Sequence, residues 1–192
     1  MRVTIRVATA LAAVFAGSVA HAAERGYMAS GDAVAAPTGY AEMCARAPAR
    51  CRTALSADTG SAPIDADQMR LVRRINRQVN RRVVARADVG ERWQSALNEG
   101  GGIGDCEDFA IDKRNQLLRA GVRADQMFFA TAYIPSVGLH AVLVVRTHKG
   151  DMVLDNRSDW VRLWSKTGYV WLARQSLNDP LTWFIVTQPR RA

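Results

Sequence analysis

The chain has 192 residues and a formal net charge of +8. That length holds one core-bearing domain and is too short for two of ordinary size. The basic excess is carried almost wholly by arginine, so the total alone does not argue for a nucleic-acid partner, which would also require aromatic residues among the basic ones for base stacking.

At the N-terminus, Arg2 and Arg6 precede the apolar run "VATALAAVFAGSVA", which is short for a bilayer and ends in Ala20-His21-Ala22. Small residues at the two positions read by signal peptidase predict a cleaved secretory signal over residues 1–22. The mature chain then starts near Ala23, and losing two arginines lowers the formal charge from +8 to +6. No later segment is apolar over a spanning length, so the expectation is an exported protein, periplasmic or secreted, that does not cross the membrane. Residues 23–39, rich in Ala and Gly with Pro37 and without periodicity, read as a flexible leader to a domain over residues 40–192.

Cys44 and Cys51 lie close together in "YAEMCARAPARC", with Pro48 between them. In an oxidising compartment three cysteines leave one over. A local Cys44–Cys51 disulfide has the least loop-closure cost and leaves Cys106 as the free thiol, with the other two pairings still open. Thr53 to Pro63 again lacks periodicity. From Asp65, Met69, Val72, Ile75, Val79 and Val83 recur at helical spacing, with Asp65 or Asp67 as cap. The other face carries Arg70, Arg73, Arg74, Arg77, Arg81 and Arg82. An anionic partner is one reading of that face, and a merely solvated surface is the preferred one, because no aromatic residues interleave. Asn80 on this helix reads as structural.

The glycine-rich "EGGGIG" leads into a second helix from about Asp105 to Arg119, stopped by Gly121. Lys113 and Arg114 are expected to face solvent. Beyond it the period falls to two: "QMFFATAYI", "LHAVLVVRT", "DMVLD", "GYVWLAR" and "TWFIVT" each read as a strand. Trp160, Trp164, Trp171 and Trp183 fall in or near these strands and read as core. Helices first and strands after indicate an α+β fold, the helices packed on one antiparallel sheet.

A nucleophilic cysteine needs a base in reach, a group to orient that base, and donors for an oxyanion. Cys106 sits at a helix start, where the aligned peptide dipoles and free N–H groups favour a thiolate and can meet an oxyanion. His21 leaves with the signal, and His148 sits in a turn, so His140 at the opening of a strand is the better-placed base. Asp155 ends the next strand. With a two-residue turn at Lys149-Gly150, however, Val144 would face Asp155 and His140 would face Asp159. The orienting acid is then Asp159, unless the hairpin is shifted or bulged.

"GDCEDFA", "HAVLVV" and "GDMVLDN", in that order behind a cysteine pair, resemble the bacterial transglutaminase-like cysteine peptidases, the family of LapG-type periplasmic proteases that release large biofilm adhesins. The resemblance runs from about Tyr40 to the C-terminus. It implies a papain-like, transglutaminase-like fold and a triad of Cys106, His140 and Asp155. It also implies a calcium ion held by Asp105 and Glu107, whose charge would otherwise raise the pKa of the thiol between them. The alternative is that Asp105 caps the helix, with Glu107 and Asp108 favoured in its first turn. By the same resemblance the substrate is a cell-envelope or surface adhesin protein, and the regulator an inner-membrane cyclic di-guanylate receptor. Nucleic acid is not an expected partner. The same triad also suits transglutaminase- or amidase-type acyl transfer, and a non-catalytic binding module is the third possibility.

Overall fold

The computed structural model describes residues 26–51 and 63–188. The expected signal segment, and most of the stretch from Thr53 to Pro63, lie outside the described residues. Strand β1 (Ser30–Val34) and helix α1 (Thr38–Arg46) come first, then helix α2 (Ala66–Arg82). A short parallel pair, β2 (Val84–Ala85) with β3 (Ile103–Gly104), brings the chain to helix α3 (Cys106–Arg119). The remaining strands are β4 (Met127–Ile134), β5 (Gly138–Thr147), β6 (Gly150–Leu154), β7 (Arg162–Leu163), β8 (Val170–Gln175) and β9 (Trp183–Val186). With β1 they form one antiparallel sheet in the order β1-β9-β8-β4-β5-β6-β7.

Local signals set the helix ends. Asp65 accepts the Gln68 N–H at 2.8 Å and donates its own N–H to the Gln68 side chain at 3.2 Å, a reciprocal cap that selects Asp65 over Asp67. At the end of α3, Gly121 takes φ +87° and the Val122 N–H returns to Leu117 O at 3.0 Å. Only glycine adopts that left-handed turn without strain.

The sheet is covered on both faces. Phe129, Leu143 and Val145 pack with Val72, Ile75, Val79, Phe109 and Leu117 on the helical side, while Phe128, Val142, Val144, Trp164 and Trp171 close the other. This is why "AVLVV" in β5 runs apolar instead of alternating. A disulfide joins Cys44 at the end of α1 to Cys51, Cα atoms 5.6 Å apart, and Cys106 is the free cysteine.

Four expectations change. Residues 30–34, read as part of a flexible leader, form an edge strand on β9, with Ala33 opposite Phe184 and Val34 opposite Trp183. All five of its residues are exposed, so no alternation marked it. Trp160 is 75% exposed, not core. Lys113 and Arg114 do not face solvent: α3 lies between α2 and β5, and its polar positions are covered. Arg114 donates to Arg50 O at 3.2 Å and lies 5.9 Å from the Phe129 ring. Lys113 is fully buried, its Nζ 5.9 Å from the Phe109 ring and without a hydrogen-bond partner among the described residues.

Burial lowers the Lys113 pKa from 10.5 to about 7, against the opposing pull of Asp155 and Asp159. The unfolded chain therefore binds more protons than the folded one between those values, so this group's contribution to stability is full above pH 10.5 and lost as pH falls through 7. Melting temperatures measured from pH 7 to 10 should show the rise from this group in the parent and not in Lys113→Met, which at pH 7 should melt no lower than the parent. Parallel pH profiles for the two proteins would contradict the assignment.

Candidate active site

The approach of β3 to α3 places Cys106. Gly104 has no room for a side chain, since a Cβ there would lie 2.5 Å from Asp108 Oδ2. Asp105 occupies the cap position, yet its carboxylate makes no capping bond to the helix; instead Oδ2 accepts the Asp88 N–H at 3.4 Å. The thiol donates to Glu107 Oε2 at 3.1 Å and accepts the Ala141 N–H at 3.3 Å. Since Ala141 follows His140, that second contact fastens the sulfur to the strand carrying the candidate base. Burial, and then the charge of Glu107, push the Cys106 pKa up.

His140 Nε2 lies 2.9 Å from Asp155 Oδ1, with both side chains buried. This contact uses Nε2 and leaves Nδ1 as the ring nitrogen for proton exchange with a thiol. The hairpin is shifted from the expected register. Thr147 pairs with Gly150 and Val144 with Val153, so the turn is His148-Lys149, and β6 is displaced by two residues. An even displacement preserves the faces, and Asp155, one residue past the last pair, reaches back to His140. Asp159 instead accepts from Asn80 at 3.2 Å.

The Asp155 carboxylate is fully used. Oδ1 also accepts the Arg157 N–H at 2.9 Å, and Oδ2 accepts the Tyr169 hydroxyl. Burial alone would raise its pKa, but the bond and charge of His140, with the Arg157 and Tyr169 bonds, outweigh it and hold Asp155 at about 2. Behind it, Asn80 Nδ2 donates to the Asp155 carbonyl at 3.0 Å and Asn76 Nδ2 to the Ser158 carbonyl at 3.0 Å. Helix α2 therefore holds the loop that presents Asp155. Tyr169 and Asn76 were not identified from sequence, because nothing local marks a tyrosine whose partner is 14 residues away.

Cys106, Glu107 and His140 open on a cleft of about 320 Å³ that Leu139, Leu172 and Trp93 also line. Trp93, likewise missed, is buried against Tyr40 and Phe129, and its indole N–H has no partner among the described residues.

Beside the thiol, Asp88, Asp105 and Asp108 each bring a carboxylate oxygen within 4.8 Å of the others. Asp105 Oδ1 and Asp108 Oδ2 are buried without hydrogen-bond partners among the described residues. Of the expected metal pair, Asp105 belongs to this group and Glu107 does not. Burial, reinforced by the charges of Asp105 and Asp88, lifts Asp108 to about 7. Burial and a hydrogen bond with Asp105 lift Glu107 to about 8. An oxygen-only donor set with orphaned buried atoms suits a hard divalent cation.

Solved structures share the fold. Calcium-bound LapG of Legionella pneumophila aligns with a TM-score of 0.53 at 22% identity, over 60% of this chain and 68% of that one. The EGTA-treated form of the same protein aligns with a TM-score of 0.53 at 21% identity, over 63% and 72% respectively. No curated protein matches the chain. The family described as bacterial transglutaminase-like cysteine proteinase BTLCP matches residues 30–191. The protein belongs to that family, and is a cysteine peptidase.

Proposed function

We propose that the protein is an exported, calcium-assisted endopeptidase in which Cys106 is the nucleophile, His140 the general base and Asp155 the group that orients it. The observation that carries this reading is one cleft containing a free thiol at a helix start, with the next residue after His140 bonded to the sulfur and His140 itself 2.9 Å from Asp155.

His140 Nδ1 takes the proton from Sγ as the thiolate attacks the scissile carbonyl carbon. The backbone N–H groups of the first turn of α3 are donors available to the resulting oxyanion. Collapse expels the amine, which receives its proton from His140, and water activated by the same imidazole resolves the thioester. Asp155, held as a carboxylate, fixes the ring and favours the imidazolium between these transfers. Asp88, Asp105 and Asp108 would hold the calcium ion, which would cancel the carboxylate charge that opposes thiolate formation. That LapG of Legionella pneumophila, which shares the fold, is calcium-bound supports this choice of ion. Membership of a peptidase family supports a protein substrate; our reading of it is a cell-envelope protein, with a large surface adhesin as the first candidate and an inner-membrane cyclic di-guanylate receptor as the candidate regulator.

Tests separate these roles. With a protein substrate and purified variants, His140→Ala should lower kcat by about a thousandfold or more and Asp155→Asn by a comparable factor, while Asp159→Asn stays within about threefold of the parent. A larger loss in Asp159→Asn than in Asp155→Asn would reverse the assignment of the orienting acid. Product analysis with added primary amine distinguishes hydrolysis from transfer, because a conjugated product reports an amine resolving the thioester.

For the metal, calorimetric titration of chelator-treated protein should show calcium binding, with the melting temperature rising by several degrees at saturation. Asp88→Asn and Asp108→Asn should each weaken that binding about tenfold or more, and Glu107→Gln should weaken it less. Absence of any heat of calcium binding would falsify the metal role.

A further inference from the structure

The C-terminal half of α3 forms one wall of a second groove, of about 430 Å³, against α2 and the segment before β3. Its apolar lining is Leu71, Ile75, Leu97 and Ala120, and Arg74, Arg82 and Arg119 line it as well. No lining residue is acidic. Among the described residues none of these three arginines has a carboxylate within 4.0 Å; the ion pairs of this region lie elsewhere, at Arg70–Asp67 and Arg50–Glu99. Arg119 acts on buried Asp112 only through space. Three cations beside apolar side chains, none in an ion pair among the described residues, fit a ligand that brings negative charge and aliphatic side chains together.

The shape and the remaining lining select among anions. Gln78, Asn98 and Gln116 add amides that can both donate to and accept from a polypeptide backbone. No aromatic residue lines the groove, so it offers neither a base-stacking platform nor the aromatic anchors of a membrane interface. Helix α3 has 14 residues and so is roughly 20 Å long, with Cys106 opening it and Arg119 closing it. An extended chain covers that distance in about six residues.

We propose that this groove is an exosite that binds an acidic, leucine-bearing segment of the protein substrate, at least about six residues from the scissile bond. The proposal rests on the peptidase assignment for the word substrate, while binding itself requires no turnover.

The test uses Cys106→Ala protein, which cannot form an acyl-enzyme, and fluorescence anisotropy of a labelled peptide of alternating glutamate and leucine. The peptide should bind, and its affinity should fall steeply with added KCl. In the combined Arg74→Glu, Arg82→Glu and Arg119→Glu variant the affinity should fall about tenfold or more. A charge-matched variant, Arg73→Glu with Arg77→Glu and Arg81→Glu on the exposed outer face of α2, should retain most of it. Arg82→Gln alone should give a smaller loss, keeping the test informative if the combined variant does not fold. Equal loss in the two triple variants, or no loss in the groove variant, would overturn the proposal. Binding of phosphatidylglycerol vesicles or single-stranded DNA without binding of the peptide would overturn it too. Because the readout is binding to a thiol-free protein, failure of the hydrolytic assignment and failure of the exosite are seen separately.

Discussion

The structure depends on burying a charged helix. Glu107, Asp108, Asp112, Lys113 and Arg114 of α3 are all buried, in a helix held between α2 and β5. Burying such groups is tolerable only if each finds partners or loses its charge. Much of the surrounding chain is arranged to provide them. Asp108 Oδ1 accepts the Gln94 N–H at 3.0 Å, and Asp112 accepts the Leu97 N–H at 2.9 Å together with the Ser95 hydroxyl. Arg114 reaches the Arg50 carbonyl, in the short turn closed by the Cys44–Cys51 bridge. The long connection between β2 and β3 is thus not a free loop: its N–H groups are the partners of helix α3, and the same contacts fix the start of the helix where Cys106 sits.

Those contacts also create the electrostatic problem at the thiol. A helix start favours a thiolate, but burial and Glu107 work against it. The carboxylates resist charge themselves, Asp108 and Glu107 being lifted to about 7 and about 8. Two arrangements relieve the crowding: protons on the acids, or a cation among Asp88, Asp105 and Asp108. The cation alternative leaves the His140–Asp155 pair undisturbed, because that pair is organised separately, by Tyr169, Arg157 and the two asparagines of α2.

What the sequence revealed, and what it hid, follows from this division. Periodicity located α2, which has one dominant packing direction, and the glycine and turn residues bounding the apolar segments helped to mark α3 and five strands, which are covered on more than one side. Periodicity missed β1, whose pairing with β9 leaves every residue exposed. The polar letters of α3 were misread for a related reason: Lys113 and Arg114 look like solvent-facing residues unless one knows that α2 covers them. Cys106, His140 and Asp155 were each legible as candidates, whereas the contact between the last two turned on a hairpin register. Moving the turn from Lys149-Gly150 to His148-Lys149 shifts the strand by two residues, which takes Asp159 away from His140 and leaves Asp155 one residue past the last pair, a diagonal neighbour on the same face. Neither turn is excluded by composition alone. Gly150 at φ +113° follows the turn, with the Thr147 hydroxyl accepting the Lys149 N–H at 3.1 Å and donating to Gly150 O at 2.8 Å. That side-chain bracket favours the observed turn, and it becomes recognisable only once the strands are paired. The acidic group beside the thiol was legible only in part for a similar reason, since Asp88 lies on a distant loop whose approach to Asp105 is a tertiary event.

A helix that is buried over most of its length and fixed at its start is also a rigid ruler. Backbone bonds at Gly121 and Val122 close α3 just past Arg119, as the contacts at its start fix Cys106. Any polypeptide engaging both ends therefore meets two sites at a set separation, one chemical and one electrostatic. Flexible tethers between two such sites would lose effective concentration as they lengthened. A rigid spacing instead rewards chains whose acidic segment falls at the matching distance, which is how a peptidase can be selective while its cleft contacts only a few residues around the scissile bond.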